Sequence, residues 1–265
     1  MRMPESRGFL IPIGGAEDKL EERLIHRRFI AFAGGSNSTI VVIPSASDKP
    51  CAGSDYKEMF SGLGAAQVKV LPIFHREECD NPAHARALKH ASGIFISGGE
   101  PFRLSAILAD TSIARTIVRL NSSGIPVAGT SAGATFMAKF MIERGESNCG
   151  PRAANTVISL GLELSSAVII DQHFSERHRL GRLLSAVARA ACPIGIGLDE
   201  NTAAIIGPDN IFEVLGSGSV TVIDTTAMSK TALSGITESD SLKPAGIKID
   251  VLSEGDRYTP GEMRH

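Results

Sequence analysis

Short apolar runs rich in Val and Ile, most of them bounded by Gly or Pro, constrain this chain more than any other feature. They are GFLIPI from Gly8, TIVVIP from Thr39, QVKVLP from Gln67, GIFI from Gly93, IPVAG from Ile125 and AVIID from Ala167, then GIGL from Gly195, TAAII from Thr202 and VTVID from Val220. Several are continuous rather than alternating, the pattern of strands buried on both faces. Stretches with helical spacing lie between them, over 82–91, 112–121 and 176–190. In the last of these, Leu180, Leu183, Leu184 and Val187 fall at i, i+3, i+4 and i+7. Strand alternating with helix predicts an α/β fold, a mostly parallel sheet with helices on both faces. After Ala190 the strands are closely spaced and helical signals are few, so a small antiparallel C-terminal extension is expected. The polar stretch 225–243 predicts a surface loop. No repeat or composition shift marks a second unit, and residues 1–265 are expected to form a single domain.

The 265 residues are 43% apolar and 21% charged, enough for a sizeable core, and the net charge is −2. There is no basic surplus to attract a nucleic-acid backbone. No run approaches the roughly 18 uncharged apolar residues of a membrane-spanning helix. The first apolar run is interrupted by Pro12, which argues against a secretory signal, so a cytoplasmic protein is expected. Cys51, Cys79, Cys149 and Cys192 lie far apart without metal-ligand spacing and are expected as reduced thiols.

The segment IPVAGTSAGATFMAKFM reads as strand, sharp turn and helix, and Gly129-Thr130-Ser131-Ala132-Gly133 fits the G-x-S-x-G nucleophile elbow. A serine exposed in such a turn needs neighbours too small to clash. The Ala132 N–H, at the start of the following helix, is the natural oxyanion donor. Gly99, in the pair that ends GIFISGG, is the candidate for the second.

A nucleophilic serine needs a base. Of the seven histidines, His173 follows the buried run AVIID at a predicted strand's carboxyl end, where open α/β sheets bind ligands. A carboxylate should orient its imidazole. Glu200 and Asp199, closing the strand GIGLDE, lead, with Asp171 and Glu146 behind them. The order serine, histidine, acid differs from that of ordinary α/β-hydrolases. Arg177, Arg179 and Arg182 crowd the start of a predicted helix, against its macrodipole. They are candidates to bind a substrate carboxylate or, through Asp171, to order the pocket.

At these residues the sequence resembles the cyanophycinase family of serine peptidases, which also contains α-aspartyl dipeptidase. The resemblance is carried by GGAEDK, GIFISGG, GTSAGA, DQHFSERHRLGRL, GIGLDENTA and FEVLGSGSVTVID. It implies a flavodoxin-like fold related to class I glutamine amidotransferases, assembled as a homodimer. It implies a triad of Ser131, His173 and Glu200, and a pocket lined by Asp171, Gln172, Arg177, Arg179 and Arg182. The implied reaction is hydrolysis of cyanophycin, a poly-aspartate bearing arginine on its side chains, to β-aspartyl-arginine, without metal or organic cofactor. Where such enzymes read Asp-Gln after the Gly-Gly pair, this chain has Glu100-Pro101, and a proline donates no hydrogen bond. The rival readings are an α-aspartyl dipeptidase or other acidic-peptide hydrolase, and a non-catalytic binding module on the same fold. A glutamine amidotransferase would normally place cysteine at the elbow, and no cysteine here has that context.

Overall fold

The strands form where Val and Ile runs have cover on both sides. The computed structural model describes residues 6–49, 51–148, 150–151, 156–226 and 247–260. Its elements are β1 (Leu10–Ile13), α1 (Leu24–Phe32), β2 (Thr39–Ile43), α2 (Ser54–Gly62), β3 (Gln67–Val70), α3 (Pro82–Lys89) and β4 (Gly93–Ile96), then α4 (Pro101–Leu108), α5 (Ser112–Ser122), β5 (Val127–Thr130) and α6 (Ala132–Phe136). The hairpin β6 (Phe140–Gly145) and β7 (Thr156–Leu160) leads to β8 (Val168–Gln172) and α7 (Leu180–Ala190). Strands β9 (Ile194–Leu198), β10 (Thr202–Ile206), β11 (Phe212–Gly216), β12 (Val220–Asp224), β13 (Lys248–Leu252) and β14 (Arg257–Tyr258) complete the chain. Most of the stretch 225–243, expected as a surface loop, lies outside the described residues, as does Cys149. Cys51, Cys79 and Cys192 are free thiols.

An eight-stranded sheet runs in the order β14-β11-β10-β1-β5-β4-β2-β3. The strands from β1 to β3 in that order pair parallel, whereas β10, β11 and β14 extend the sheet antiparallel. Its two faces follow the two-residue period of the strands. Leu10, Val41, Ile43, Ile94, Ile96 and Val127 face α3 to α6. Ile11, Ile13, Ile40, Val42, Phe95 and Ala128 face α1 and α2. This explains the continuous apolar runs: each residue, whichever way it points, meets a helix.

The expected mostly parallel sheet with an antiparallel C-terminal extension is present, but the C-terminal strands also build a further layer that was not expected. A second, four-stranded sheet, β13-β12-β9-β8, packs into the same buried cluster as the first through Ile170, Ile196 and Val222. Its β8 and β9 are parallel, while β12 and β13 are antiparallel additions. Local pattern marks a strand, but the sheet it joins is set by distant pairing. The predicted helix over 176–190 also starts late, at Leu180, because His173 (φ 46°) and His178 (φ 52°) take left-handed backbone that interrupts a helix. From there its apolar stripe, Leu183, Ala186 and Val187, covers the outer face of the second sheet.

His26 on α1 is 1% exposed, among the rings of Phe60 and Phe95 at centroid distances of 5.7 and 6.0 Å. Among the described residues neither ring nitrogen has a hydrogen-bond partner. Burial pushes its pKa from the ordinary 6.5 down to about 4, outweighing the Glu17 carboxylate 3.9 Å from Nε2. The folded chain therefore holds this imidazole neutral, and the unfolded chain takes up its proton first as the pH falls. Between about pH 6.5 and 4 the native state should lose on the order of 3 kcal/mol from this group alone. Denaturant melts across that range should show a shallower loss for His26→Phe than for the wild type. Identical slopes would show that His26 does not carry the effect.

Candidate active site

Ser131 stands between β5 and α6 at φ 51° and ψ −114°, the strained backbone of a strand-to-helix elbow. Its neighbours are small because other backbone is close. A Cβ on Gly129 would lie 2.6 Å from the Gly133 carbonyl oxygen, and one on Gly133 would lie 2.3 Å from that of Ile96. The Ser131 N–H donates to Ile13 O at 2.9 Å, which ties the elbow to the end of β1.

Strands β8 and β9 pair in register, Gln172 opposite Leu198, so the residues just beyond their carboxyl ends are neighbours. His173 is the first residue past β8, and Glu200 is the second past β9, one beyond Asp199. His173 Nε2 lies 3.0 Å from Ser131 Oγ, and Nδ1 lies 2.5 Å from Glu200 Oε1. The tautomer that satisfies both contacts carries its proton on Nδ1, donated to Glu200, and leaves Nε2 to accept from the serine. Gln172 Oε1 is 3.3 Å from the same hydroxyl. One hydroxyl proton cannot serve two acceptors. Turning the amide so that its NH2 faces Ser131 makes Gln172 a donor and leaves the proton for His173.

The imidazole is held from behind as well. The His173 N–H donates to Gly14 O at 2.8 Å, and a Cβ on Gly15 (φ 103°) would strike the ring 2.4 Å from Cε1. His173 is 12% exposed at the side chain and Glu200 38%, so solvent reaches the carboxylate more freely than the base. The arrangement places a hydroxyl, an imidazole and a carboxylate in hydrogen-bonded sequence, an order that acyl transfer by a serine can use.

The other sequence candidates lie as follows. Asp199 does not reach the imidazole; its carboxylate accepts from the backbone N–H groups of Ser175 and Ser219, each at 3.0 Å. Glu146 lies just past the end of β6. Ala132 opens α6 and is fully buried. Gly98 sits beside the nucleophile, its Cβ position 3.2 Å from Ser131 Cβ. Gly99 (φ 148°) is pressed against the loop after β2, where a side chain would lie 2.3 Å from Ala46 O. Pro101 occupies the first turn of α4, where a missing N–H costs nothing. Among the described residues, no group of three or more His, Cys, Asp or Glu could hold a metal ion.

Three of the pocket candidates are not open to a ligand. Asp171 is fully buried; Arg182 Nε donates to its Oδ2 at 2.8 Å, and Arg182 Nη2 bonds Oδ1. Arg179, 6% exposed, donates to the Gln172 carbonyl and lies 3.6 Å from Asp171 Oδ1. Burial lowers the Arg179 guanidinium to about 10 against the pull of Asp171, so it stays charged at neutral pH. The arginines that oppose the α7 dipole thus find their counter-charge in a buried carboxylate. Arg177 is the exposed member of the group.

Glu17 was not singled out from the sequence, although it lies in GGAEDK. Its buried carboxylate accepts from Thr130 Oγ1 at 2.5 Å and from the Tyr56 hydroxyl at 2.8 Å, with Lys19 Nζ 3.5 Å away. Thr130 is the residue before the nucleophile, so Glu17 braces the end of β5 from below. Its only sequence signal was an acidic residue directly after a strand-ending Gly-Gly pair.

Asp171→Ala should cost about 3–5 kcal/mol, because Arg182 would be left as a buried charge without its partner. Denaturant midpoints would measure it, and a change below about 1 kcal/mol would mean the pair is dispensable.

A cyanophycinase of Trichormus variabilis is 40% identical over 261 residues, 97% of this chain and 88% of that one. A cyanophycinase of Geminocystis herdmanii is 38% identical over 254 residues, covering 95% and 93%. Among solved structures, a peptidase from an acI-B1 Actinobacterium superposes with a TM-score of 0.69 at 22% identity, over 97% of this chain and 98% of that chain, which establishes the shared fold. The sequence features of peptidase family S51 match residues 9–214, most of the chain. On that match and the identity to its relatives, the chain belongs to peptidase family S51.

Proposed function

We propose that the chain is a serine exopeptidase that hydrolyses cyanophycin (multi-L-arginyl-poly-L-aspartate) to β-aspartyl-arginine through Ser131, His173 and Glu200. The observation that carries this reading is the contact chain Ser131–His173–Glu200, at 3.0 and 2.5 Å, in a sequence 40% identical over 97% of its length to a protein named cyanophycinase.

In this mechanism His173 Nε2 takes the Ser131 proton as Oγ bonds to an aspartyl carbonyl carbon. The N–H groups of Ala132 and Gly99 receive the oxyanion, and Glu200 stabilises the imidazolium. The tetrahedral intermediate collapses, the C–N bond breaks, and His173 gives its proton to the departing amine. Water, deprotonated by His173, then cleaves the acyl ester and frees Ser131. Gln172 orients the hydroxyl, and exposed Arg177 receives a substrate carboxylate. Asp171, Arg179 and Arg182 act indirectly, by fixing the end of β8 on which His173 rides.

The rest of the reading is a single domain over 1–265, a homodimer, a cytoplasmic location and no cofactor. The framework is flavodoxin-like, related to class I glutamine amidotransferases. The order β3-β2-β4-β5, equivalent to 2-1-3-4 of the flavodoxin pattern, supports that kinship. Among the described residues no helix is long and apolar enough to cross a membrane.

Purified cyanophycin incubated with wild type should yield β-aspartyl-arginine, and Ser131→Ala should cut the rate by roughly 10⁴-fold or more. Equal release by both proteins would remove the serine mechanism. Cleavage of free Asp-X dipeptides but not of the polymer would reassign the enzyme as an aspartyl dipeptidase. Gly15→Ala, which crowds the His173 ring, should lower kcat on the same substrate by about 10²-fold while the protein still melts cooperatively. Unchanged kcat would show that the ring is not held there.

A further inference from the structure

Beside the nucleophile lies a cavity of about 500 Å³ bounded by Ala46, Asp48, Lys49, Gly99, Glu100 and Arg103. Its volume falls within the roughly 300–1,000 Å³ typical of small-molecule sites. It shares Gly99 with the proposed oxyanion site, and Gly98 ties it to Ser131. Its charges set it apart. Asp48 and Glu100 are anionic, Lys49 and Arg103 cationic, and none of the four side chains makes an ion pair or hydrogen bond among the described residues. At the triad and beneath it, by contrast, Asp171, Glu200 and Glu17 all have partners.

The four charges are displayed by backbone that is itself tied down. The Glu100 N–H donates to Ala46 O at 2.9 Å, joining the two walls of the cavity, and the Lys49 N–H donates to Ser47 Oγ at 3.1 Å. Pro101 starts α4 and sets Glu100 and Arg103 about one turn apart. Arg103 Nε is buried without an acceptor among the described residues. A buried donor left unbonded is costly, and a ligand carboxylate would satisfy it. Charges of both signs around one cavity suit a ligand that carries both.

We infer that this cavity is the subsite for the arginine-bearing side chain of the substrate, an inference that rests on the proposed cyanophycin reading. Arginine joined through its α-amine to an aspartate side chain keeps a guanidinium at one end and a free α-carboxylate at the other. Asp48 and Glu100 receive the guanidinium, and Lys49 and Arg103 receive the carboxylate. A planar guanidinium bonds carboxylates in bidentate fashion, which an ammonium cannot do, so the subsite selects arginine over lysine.

Calorimetric titration of the full-length protein with β-aspartyl-arginine and β-aspartyl-lysine tests this without relying on turnover. The wild type should bind the arginine dipeptide at least about tenfold more tightly, the effect of one charge-assisted hydrogen bond. The double variant Asp48→Asn/Glu100→Gln, altered only at exposed positions, should bind the two dipeptides equally, and Arg103→Gln should weaken both by about tenfold. Equal binding of the two dipeptides by wild type, no binding of either, or a preference that survives in the double variant would overturn the subsite. Release of β-aspartyl-arginine from the polymer, assayed in parallel, reports separately on the cyanophycin reading. Release combined with unaltered dipeptide preference would leave that reading standing and remove the subsite alone.

Discussion

A fully buried carboxylate is costly unless its oxygens are occupied, and the site is arranged around one that is. Asp171, the penultimate residue of β8, accepts from both ends of the Arg182 guanidinium, and its Oδ1 also accepts from the Gln172 N–H at 2.8 Å. Arg182 lies in the first turn of α7, so the pair pins that helix to the strand end. The chain between them, residues 172–181, must then turn back on itself. His173 begins that turn with left-handed backbone, and its ring is directed toward Ser131. The interaction is worth more as a constraint on geometry than as stabilisation, since a buried ion pair often does little better than apolar packing.

The second constraint is the meeting of two sheets. Ser131 comes from the first and His173 and Glu200 from the second, so the hydrogen-bonded chain of the site crosses a packing interface. Backbone crosses that interface where His173 N donates to Gly14 O at 2.8 Å, while Gly14 N to Thr202 O at 2.9 Å and Asn201 N to Gly15 O at 2.8 Å extend the β1–β10 pairing up to it. Ser131, His173 and Asn201 all have positive φ, at 51°, 46° and 49°. Such backbone costs of order 1–3 kcal/mol at each residue and persists where surrounding packing over-determines it. Other positive-φ residues, such as Arg23, Asp110 and Asn210, lie elsewhere in the chain, but these three sit at strand ends beside the contact between Ser131 and His173.

Charge is divided by depth. The buried carboxylates of Asp171 and Glu17 bond to other groups and stiffen the scaffold, one close in sequence to His173 and one bonded to Thr130, the residue before Ser131. Arg177 and the four charges around the cavity by Gly99 are more open to solvent and lack such bonds. A charge held in place by the fold supports rigidity, and one left without a protein partner is available to a substrate. The arginine cluster, which looked uniform in sequence, is split by this criterion.

Much of the scaffold was legible locally. Continuous Val and Ile runs marked the buried strands, and the small residues around Ser131 marked the elbow, because both depend on immediate neighbours. The placement of His173 and Glu200 past strand ends was readable for the same reason. Strands β6, β7, β13 and β14 were not, since their half-exposed faces lack a continuous apolar run, and β11, largely buried, was hidden because Glu213 breaks its run. The spacing alone left Glu200 and Asp199 level, and only the resemblance named Glu200; in the structure Glu200 meets the imidazole while Asp199 binds backbone N–H groups. The sequence by itself determined which segments become strands, where the elbow lies and which residue types the chemistry can draw on. Tertiary structure alone decided that the strands divide between two sheets, which carboxylate meets the imidazole and which arginines are buried. Each of those outcomes depends on contacts between residues far apart in the chain, and local pattern does not encode them.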